Sequence, residues 1–317
     1  MKNILITGGA GFIGSNLIKK LLSTNKYNVV CIDNFDDFYS LKQKDLNISS
    51  FKYHENFSLI RGDIRNLQDL EKAEKIDVIV HLAAKAGVRP SILDPILYQD
   101  VNVSGTQNLL EFARKNDIKQ FVFASSSSVY GVNENVPWHE NERLLPISPY
   151  ASTKLSGEML GHVYSHLYGI RFIALRFFTV YGPGQRPDLA IHKFFKSILN
   201  NTPIPVFGDG STSRDYTFVT DTIQGIEAAI EYSGSEFEII NLGNHQTVTL
   251  KGLIEAIENI CEKKAIINRL PNQPGDVSQT YADIAKAEKL LGYKPQVKLE
   301  EGLSSFLEWY KKESENI

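Results

Sequence analysis

The feature that most constrains the fold is a glycine-rich turn near the start of the chain. A β-branched run at residues 4–7 leads into Gly8, Gly11 and Gly14, which have the spacing Gly-x-x-Gly-x-x-Gly, and a helical stretch follows. Glycines at these positions permit a tight turn and let the backbone approach an anion, while the helix N-terminus presents unpaired N–H groups. The pattern predicts a strand, turn and helix that hold a pyrophosphate.

Strand-like and helix-like segments alternate from the start of the chain to about Arg176. Short β-branched runs separated by helix-sized stretches are typical of a parallel sheet that helices cover on both faces. The predicted strands lie at residues 4–7, 29–33, 58–60, 78–81, 121–124 and 172–175. We therefore predict an α/β fold built on a doubly wound parallel (Rossmann) sheet.

The regular alternation ends after Arg176, at a turn that contains Tyr181, Gly182, Pro183 and Gly184. Helices are predicted near residues 191–199, 250–261 and 300–310, and strands near 217–219 and 238–241. The last two can return to the first sheet. We therefore predict a cofactor domain of residues 1–176 plus about 217–243, and a smaller mixed α/β substrate domain of residues 177–216 plus about 244–317.

Composition narrows the classes of partner. A formal net charge of −3 gives no general reason to expect nucleic acid or an anionic membrane. Cys31 and Cys261 are the two cysteines, and both are expected to be buried thiols rather than parts of a disulfide framework. The first apolar run is too short for a signal h-region or a membrane span, so the cytoplasm is the expected location.

The seven histidines do not form a pattern of metal ligands. His162 and His166 have the spacing i and i+4 but lack an intervening glutamate and an evident third ligand, and His81 ends a predicted strand alone. We predict no metal site.

Asp33 ends the second predicted strand about 20 residues beyond the glycine turn. There a carboxylate accepts hydrogen bonds from both ribose hydroxyls of an NAD adenosine and repels a 2′-phosphate. Because Asn34 rather than arginine follows, NAD is favoured over NADP. Asp63, after the third strand, either binds the adenine end of the cofactor or caps a helix.

Tyr150 and Lys154 share one face of a predicted helix that begins after Ser148 and Pro149. A solvated surface pair is the alternative, but the helix follows a strand that ends in four serines, at the sheet edge where the glycine turn lies. A tyrosine base near neutral pH needs its pKa lowered by roughly 3 units. An ammonium about 4 Å away supplies roughly that effect, so we expect Lys154 and the positive nicotinamide ring together to lower the pKa of Tyr150.

Three motifs together resemble the extended short-chain dehydrogenases that act on nucleotide sugars. They are the glycine turn, the Tyr150-x-x-x-Lys154 pair with an upstream serine, and residues 176–183 with the sequence RFFTVYGP. Within that family, residues 86–89, 123–131 and 177–188 are most similar to the UDP-glucuronate 4-epimerases. The resemblance extends over nearly the whole chain.

The resemblance implies reversible inversion at C4 of UDP-glucuronate, which gives UDP-galacturonate through a 4-keto sugar. Tyr150 would remove the C4 hydroxyl proton, Ser126 would hydrogen-bond that oxygen, and the C4 hydride would pass to tightly bound NAD and back. Lys154 would also hold the nicotinamide ribose. The implied NAD-binding residues are Gly8, Gly11, Phe12, Ile13, Gly14, Asp33, Asn34, Asp63, Ile64, Leu82, Ala83, Ala84, Lys85, Tyr150 and Lys154.

The residues that resemble the family's substrate site favour an acidic sugar. Ser127, Ser128 and Thr179 offer hydroxyl donors around C6, and an Asp-Glu pair typical of dehydratases or a glutamate typical of decarboxylases is replaced by serines. UDP-glucose or UDP-N-acetylglucosamine epimerases, decarboxylases, dehydratases, reductases and a silent NAD-binding scaffold remain as alternatives. The other predicted substrate-binding residues are Arg89, Arg186, Val206, Arg214 and Asp276.

The resemblance also implies a homodimer. Predicted helices at residues 97–114 and 150–167 match the helices that pair two subunits in this family.

Overall fold

Strands and helices alternate through most of the chain. The computed structural model describes residues 1–271 and 277–313. The strands are β1 (Lys2–Thr7), β2 (Tyr27–Asp33), β3 (Phe57–Arg61), β4 (Val78–His81), β5 (Gln120–Ser126), β6 (Arg171–Phe177), β7 (Thr179–Tyr181), β8 (Ile204–Phe207), β9 (Ser213–Arg214), β10 (Tyr216–Phe218), β11 (Phe237–Leu242), β12 (Val248–Thr249) and β13 (Ile267–Leu270).

The helices have the following bounds. They are α1 (Phe12–Ser23), α2 (Leu41–Ser49), α3 (Leu67–Leu70), α4 (Val88–Leu93), α5 (Pro95–Gln99), α6 (Gly105–Lys115), α7 (Pro149–Tyr168), α8 (Ala190–Leu199), α9 (Val219–Glu231), α10 (Leu250–Cys261), α11 (Ala285–Leu291) and α12 (Leu299–Glu313).

The described residues form a seven-stranded parallel sheet with the strand order β11-β6-β5-β4-β1-β2-β3. The chain runs outward from β1 to β3 and then returns to the other side of β1, so the order reverses between β1 and β4. In such sheets the crevice at the carboxyl ends of these strands is the usual ligand site. The predicted doubly wound parallel sheet is confirmed, and each of its six predicted strands is present.

Helix α7 packs unusually close to the sheet. Gly157 and Gly161 face the rings of Phe123 and Phe172, and a Cβ atom added at either glycine would overlap the ring. Phe172 also stacks on Phe121, with 5.2 Å between the ring centroids. The two glycines, one helical turn apart, therefore set the distance between the helix and the strands β5 and β6.

A smaller region beside the sheet contains three two-stranded pairs. Strand β10 pairs with β7, β12 with β9 and β13 with β8. Strand β11 returns to the large sheet beside β6, as expected for residues 238–241. The strand predicted at 217–219 does not return: it is β10, which pairs with β7 because β7 continues past the sheet edge directly after β6. The division of the chain into two domains stays a prediction.

The two cysteines differ in burial. Cys31 is buried in β2, whereas Cys261, expected to be buried, is only partly covered at the end of α10. Across residues 1–271 and 277–313, the helices lack the length and apolar character needed to cross a bilayer.

Substituting Gly161 tests the close packing of α7. Gly161→Ala inserts a methyl group against the Phe172 ring, and overpacking of this kind outweighs the gain in helix propensity. We expect a loss of about 1–2 kcal/mol in the free energy of unfolding, measured by urea denaturation. Ser152→Ala, on the exposed side of the same helix, is the control. Equal stability of both variants would contradict the packing described.

Candidate active site

A cavity of about 370 Å³ lies at the carboxyl edge of the sheet. Its walls come from the glycine turn, the ends of β2, β4 and β5, the start of α7 and the segment after β6. All fifteen predicted cofactor-binding residues line it: Gly8, Gly11, Phe12, Ile13, Gly14, Asp33, Asn34, Asp63, Ile64, Leu82, Ala83, Ala84, Lys85, Tyr150 and Lys154. The structure therefore brings this whole set together.

The glycine turn is packed too closely for side chains. Gly8 has φ +73°, and a Cβ atom there would lie 2.8 Å from the Cα atom of Ala83. Gly11 is the N-cap of α1 and provides no side chain to bond the first N–H groups of the helix. These groups point into the cavity edge and suit a phosphate group.

Asp33 is buried and held by the backbone. Its Oδ2 accepts a hydrogen bond from the Ala10 N–H at 3.0 Å, and its Oδ1 accepts one from the Phe35 N–H at 2.8 Å. Lys44 Nζ lies 3.9 Å from Oδ1 and also lines the cavity. The carboxylate is thus fixed at the position where a ribose diol can bond to it.

Asp63 lies beside Asn34, whose amide donates to Asp63 Oδ2 at 3.0 Å. The Arg65 guanidinium lowers the pKa of Asp63 to about 2, so the side chain is ionised. The alternative role as a helix cap is wrong, because Asn66 caps α3 by accepting from the Gln68 N–H.

The start of α7 is fixed by local sequence. Ser148 Oγ accepts a hydrogen bond from the Ala151 N–H at 3.2 Å, and Pro149 occupies the first turn, where its missing N–H is harmless. Tyr150 and Lys154 follow one turn apart on the face toward β5. The Ser126 hydroxyl lies beside Tyr150 and acts to lower its pKa, and Lys154 Nζ donates to the Ala124 carbonyl at 2.7 Å.

Burial dominates the ionisation of this pair. Burial raises the pKa of Tyr150, while the Ser126 hydrogen bond and the charge of Arg186 act in the opposite direction. Burial also lowers the pKa of Lys154 to about 8, and Lys154 Nζ lies 5.9 Å from the Tyr150 ring centroid. Among the described side chains burial is the largest influence on the pKa of Tyr150, and the lowering expected from Lys154 together with the nicotinamide ring stays a prediction.

The hydroxyl residues predicted to bind substrate differ in their position relative to the cavity. Thr179 lines the cavity. Ser127 and Ser128 belong to a partly buried 3₁₀ turn directly after β5 and are not among the residues that line the cavity. Ser128 Oγ donates to Ser126 Oγ at 2.9 Å, so the serines form a connected group rather than separate surface hydroxyls.

Of the arginines predicted to bind substrate, Arg186 is the one that lines the cavity. Its Nε and Nη2 donate to both carboxylate oxygens of Asp188 at 2.9 and 2.8 Å. The charge of Arg186 acts on Tyr150, so this ion pair lies near the reacting end of the cavity.

The remaining predicted substrate residues lie away from the cavity wall. The guanidinium of Arg89 stacks over the Phe207 ring at 4.6 Å, and Arg214 donates to backbone carbonyls. Val206 is 2% exposed and packs in the hydrophobic core through β8. Asp276 lies outside the described residues. The proposed substrate contacts of these residues stay predictions.

Several cavity residues gave no sequence signal. The helix expected at 97–114 is interrupted by a π-helical turn, Asp100–Ser104, and such insertions often occur at functional sites. Within this turn, Asn102 accepts from the Lys85 N–H at 2.8 Å and donates to the hydroxyl of Thr153 at 3.0 Å. Asn102 thereby joins the loop after β4 to the catalytic helix.

The segment after β2 also forms part of the wall. Asp36 forms an ion pair with Lys85 at 2.8 Å, and Phe38 lies between the cations Lys85 and Arg186. The cavity residues that sequence reasoning missed include Asp36, Phe38, Tyr39, Lys44 and Val101.

His81 is buried at the end of β4 and is hydrogen-bonded through both ring nitrogens. Its two ring nitrogens lie 2.8 Å from Thr7 Oγ1 and 2.9 Å from Thr106 Oγ1. Burial lowers the pKa of His81 to about 3, so the ring is neutral. In the part of the chain that the structure describes, no group of three or more His, Cys, Asp or Glu side chains could hold a metal ion.

Comparisons with known proteins agree with this architecture. The family model described as GDP-mannose 4,6 dehydratase matches residues 5–306. A UDP-glucuronate 4-epimerase of Thermodesulfobacterium geofontis is 41% identical over 99% of this chain and 97% of the relative.

Two solved structures are similar over the same length. The UDP-glucuronic acid 4-epimerase of Bacillus cereus, in complex with UDP-glucuronic acid and NAD, has a TM-score of 0.93 and 42% identity, covering 98% of this chain and 99% of that one. The UDP-glucose 4-epimerase of Thermotoga maritima, with UDP-glucose, has a TM-score of 0.90 and 33% identity with the same coverage. The chain belongs to the GDP-mannose 4,6 dehydratase family of extended short-chain dehydrogenases.

Proposed function

We propose that this protein is an NAD-dependent UDP-sugar 4-epimerase whose preferred substrate is UDP-glucuronate. One observation carries the proposal: Tyr150 and Ser126 line the same cavity as the glycine turn and Asp33. The dinucleotide-binding groups and an acid/base pair are thus within one space. The relatives named as UDP-sugar 4-epimerases support this reading, and the complex of the Bacillus cereus enzyme supports NAD as the cofactor.

The residues of this chain fit NAD. The first turn of α1 would hold the pyrophosphate, Asp33 the adenosine ribose and Lys154 the nicotinamide ribose. When bound, NAD supplies a reversible acceptor for the C4 hydride. Asp33 is fixed by two backbone N–H groups, so an added 2′-phosphate would meet a carboxylate that cannot turn away. This supports NAD over NADP.

Tyr150 acts as the general acid and base on the C4 oxygen. It takes the hydroxyl proton while Ser126 hydrogen-bonds the same oxygen, and it returns a proton after the 4-keto sugar has presented its other face. Burial raises the pKa of Tyr150 and favours the neutral phenol. To take up a proton as well as return one, Tyr150 needs nearby positive charge that offsets this desolvation and lowers its pKa. Arg186 and Lys154 supply that charge from this chain.

Charge around the cavity favours an acidic sugar. Among the described lining residues, the carboxylates Asp33, Asp36 and Asp63 all lie at the ends of β2 and β3 or just beyond them. The opposite end, around Ser126, Tyr150 and Thr179, is lined by hydroxyls and by the Arg186 guanidinium. A sugar carboxylate there gains donors and meets no like charge in the wall. A neutral UDP-sugar is the second candidate, because a relative is named UDP-glucose 4-epimerase.

The proposal predicts conversion of UDP-glucuronate without added NAD. Purified enzyme is incubated with UDP-glucuronate, and the sugar signals are followed by NMR. We expect UDP-galacturonate and no UDP-pentose, because the hydride returns to C4 and the carboxyl group is retained. Conversion of UDP-glucose or UDP-N-acetylglucosamine but not of UDP-glucuronate would refute the proposed substrate and retain the reaction. Absence of epimerisation with all three sugars would refute the function.

Removing one hydroxyl tests the role of Tyr150. Tyr150→Phe keeps the ring contact with Tyr98, whose centroid is 6.4 Å away, and should bind NAD and fold normally. We expect kcat to fall roughly 10²–10⁴-fold, because the general acid/base is lost. The matched control is Tyr98→Phe, which removes a hydrogen bond to the Ala86 carbonyl. A Tyr150→Phe enzyme as active as this control would exclude Tyr150 as the base.

We further propose that the protein is a homodimer that pairs the outer faces of α7. Met159, Val163 and Leu167 form an i, i+4, i+8 stripe on that helix and are 48%, 46% and 60% exposed. The neighbouring α4 and α5 also expose Leu93 and Ile96. An apolar stripe of this kind on adjacent helices is typical of a subunit interface.

Light scattering after gel filtration tests the dimer. We expect a mass of about twice 35.6 kDa for the native protein. Val163→Arg places a charge in the paired stripe and should give the monomer mass. Tyr53→Arg, at a highly exposed aromatic elsewhere on the surface, should leave the dimer intact. A native protein that elutes as a monomer at working concentration would refute the pairing.

A further inference from the structure

A buried ion pair lies one helical turn beyond Lys154. Glu158 of α7 and Arg176 of β6 are both completely buried. Arg176 donates from Nε and Nη2 to the two carboxylate oxygens of Glu158 at 2.9 and 2.8 Å. The Ser125 hydroxyl also donates to Glu158. Every charge of the pair is therefore matched by directed hydrogen bonds, as a buried carboxylate requires.

The pair is part of the same surface as the catalytic residues. Tyr150, Lys154 and Glu158 follow each other at i, i+4 and i+8 on the inner face of α7. Three successive residues at the end of β5 face them, since Ala124 bonds to Lys154, Ser125 bonds to Glu158, and Ser126 lines the cavity with Tyr150. The position of the Glu158 carboxylate is thus fixed by hydrogen bonds, like the position of the Lys154 ammonium.

We propose that Glu158 is a positioning residue whose negative charge keeps Lys154 protonated, and that Arg176 and Ser125 hold Glu158 in place. The inference rests on the proposed function, because it concerns the charge that Lys154 contributes beside Tyr150.

The surroundings of Lys154 make a counter-charge necessary. The Phe123 ring lies 5.1 Å from its Nζ atom, and His81 of β4 is neutral. Tyr150 is neutral, and Arg176 of β6 is a cation. Burial lowers the pKa of Lys154 to about 8, and the charge of Glu158 acts in the opposite direction. Within the described residues around Lys154, Glu158 is the negative group that offsets desolvation.

Arg176 explains why Glu158 stays ionised in the core. An unpaired carboxylate there would take up a proton, whereas a bidentate guanidinium stabilises the charged form. Arg176 is itself anchored, since it donates to the Glu140 carbonyl at 3.2 Å and lies over the Tyr130 ring at 4.8 Å. Tyr130 in turn donates to Asn241 at 2.7 Å. Arg176, which holds the counter-charge, is therefore anchored by the loop that carries Glu140 and, through Tyr130, by β11.

The test is the pH profile of the NAD-loaded Glu158→Gln enzyme. Removing the negative charge lowers the pKa of Lys154 further, so its proton is lost at lower pH. We expect the alkaline midpoint of kcat to move down by about one to two pH units, while kcat at pH 6 stays within about threefold of wild type and KM for UDP-glucuronate is unchanged. The control is Glu111→Gln, which removes a carboxylate bonded to Tyr164 of the same helix.

A double variant separates this role from simple neutralisation of Arg176. Glu158→Gln with Arg176→Gln leaves no unpaired buried charge. If Glu158 serves Lys154, the double variant keeps most of the downward shift. If Glu158 only neutralises Arg176, the double variant regains the wild-type profile, and the proposal is overturned.

A milder variant keeps the proposal testable if Glu158→Gln does not fold. Should Glu158→Gln not fold, Ser125→Ala removes one hydroxyl donor to Glu158 and should shift the midpoint in the same direction by a smaller amount. An unchanged midpoint in a folded variant overturns the inference while wild-type epimerisation leaves the proposed function intact. A wild-type enzyme that epimerises none of the sugars refutes the proposed function instead.

Discussion

The seating of α7 on the end of β5 is the interaction on which the site depends. Gly157 and Gly161 let the helix approach the aromatic rings of the sheet, and this brings its inner face within hydrogen-bonding distance of the strand. Lys154 can then reach the Ala124 carbonyl, and Tyr150 can reach Ser126. A helix held even 1 Å farther away would lose both contacts together. Among the described polar contacts, each of these two side chains meets the end of β5 at one residue.

Burial determines what these groups can do chemically. Desolvation favours the neutral forms of both Tyr150 and Lys154, so an isolated pair in this cavity would carry little charge. Their function therefore depends on charges outside the pair: Arg186 on the substrate side and Glu158 on the core side. The protonation states of Tyr150 and Lys154 therefore depend on the ion pairs around α7 and not on the two residues of the motif alone.

The sequence was sufficient for features that have a local signal. The glycine turn, the six strands, Asp33 and the spacing of Tyr150 and Lys154 all follow from periodicity or short motifs. Contacts between distant segments carry no such signal. Lys44 lies in a polar helix whose inner face is fixed only by packing, and Asn102 reaches the site through a π-helical turn that its composition does not reveal. The pKa of Tyr150 likewise depends on burial, which no local motif reveals.

Selectivity for the sugar depends on how Arg186 shares its charge. Asp188 already binds two of its nitrogens, so the cation at the reacting end is largely neutralised. An acidic sugar would then use the remaining guanidinium N–H donors together with hydroxyls such as that of Thr179, or displace Asp188. In the first case acidic and neutral sugars differ mainly in hydrogen bonds, which separates them modestly. In the second case Asp188 loses its Arg186 partner, and only a ligand whose carboxylate forms a new ion pair with Arg186 can offset that cost.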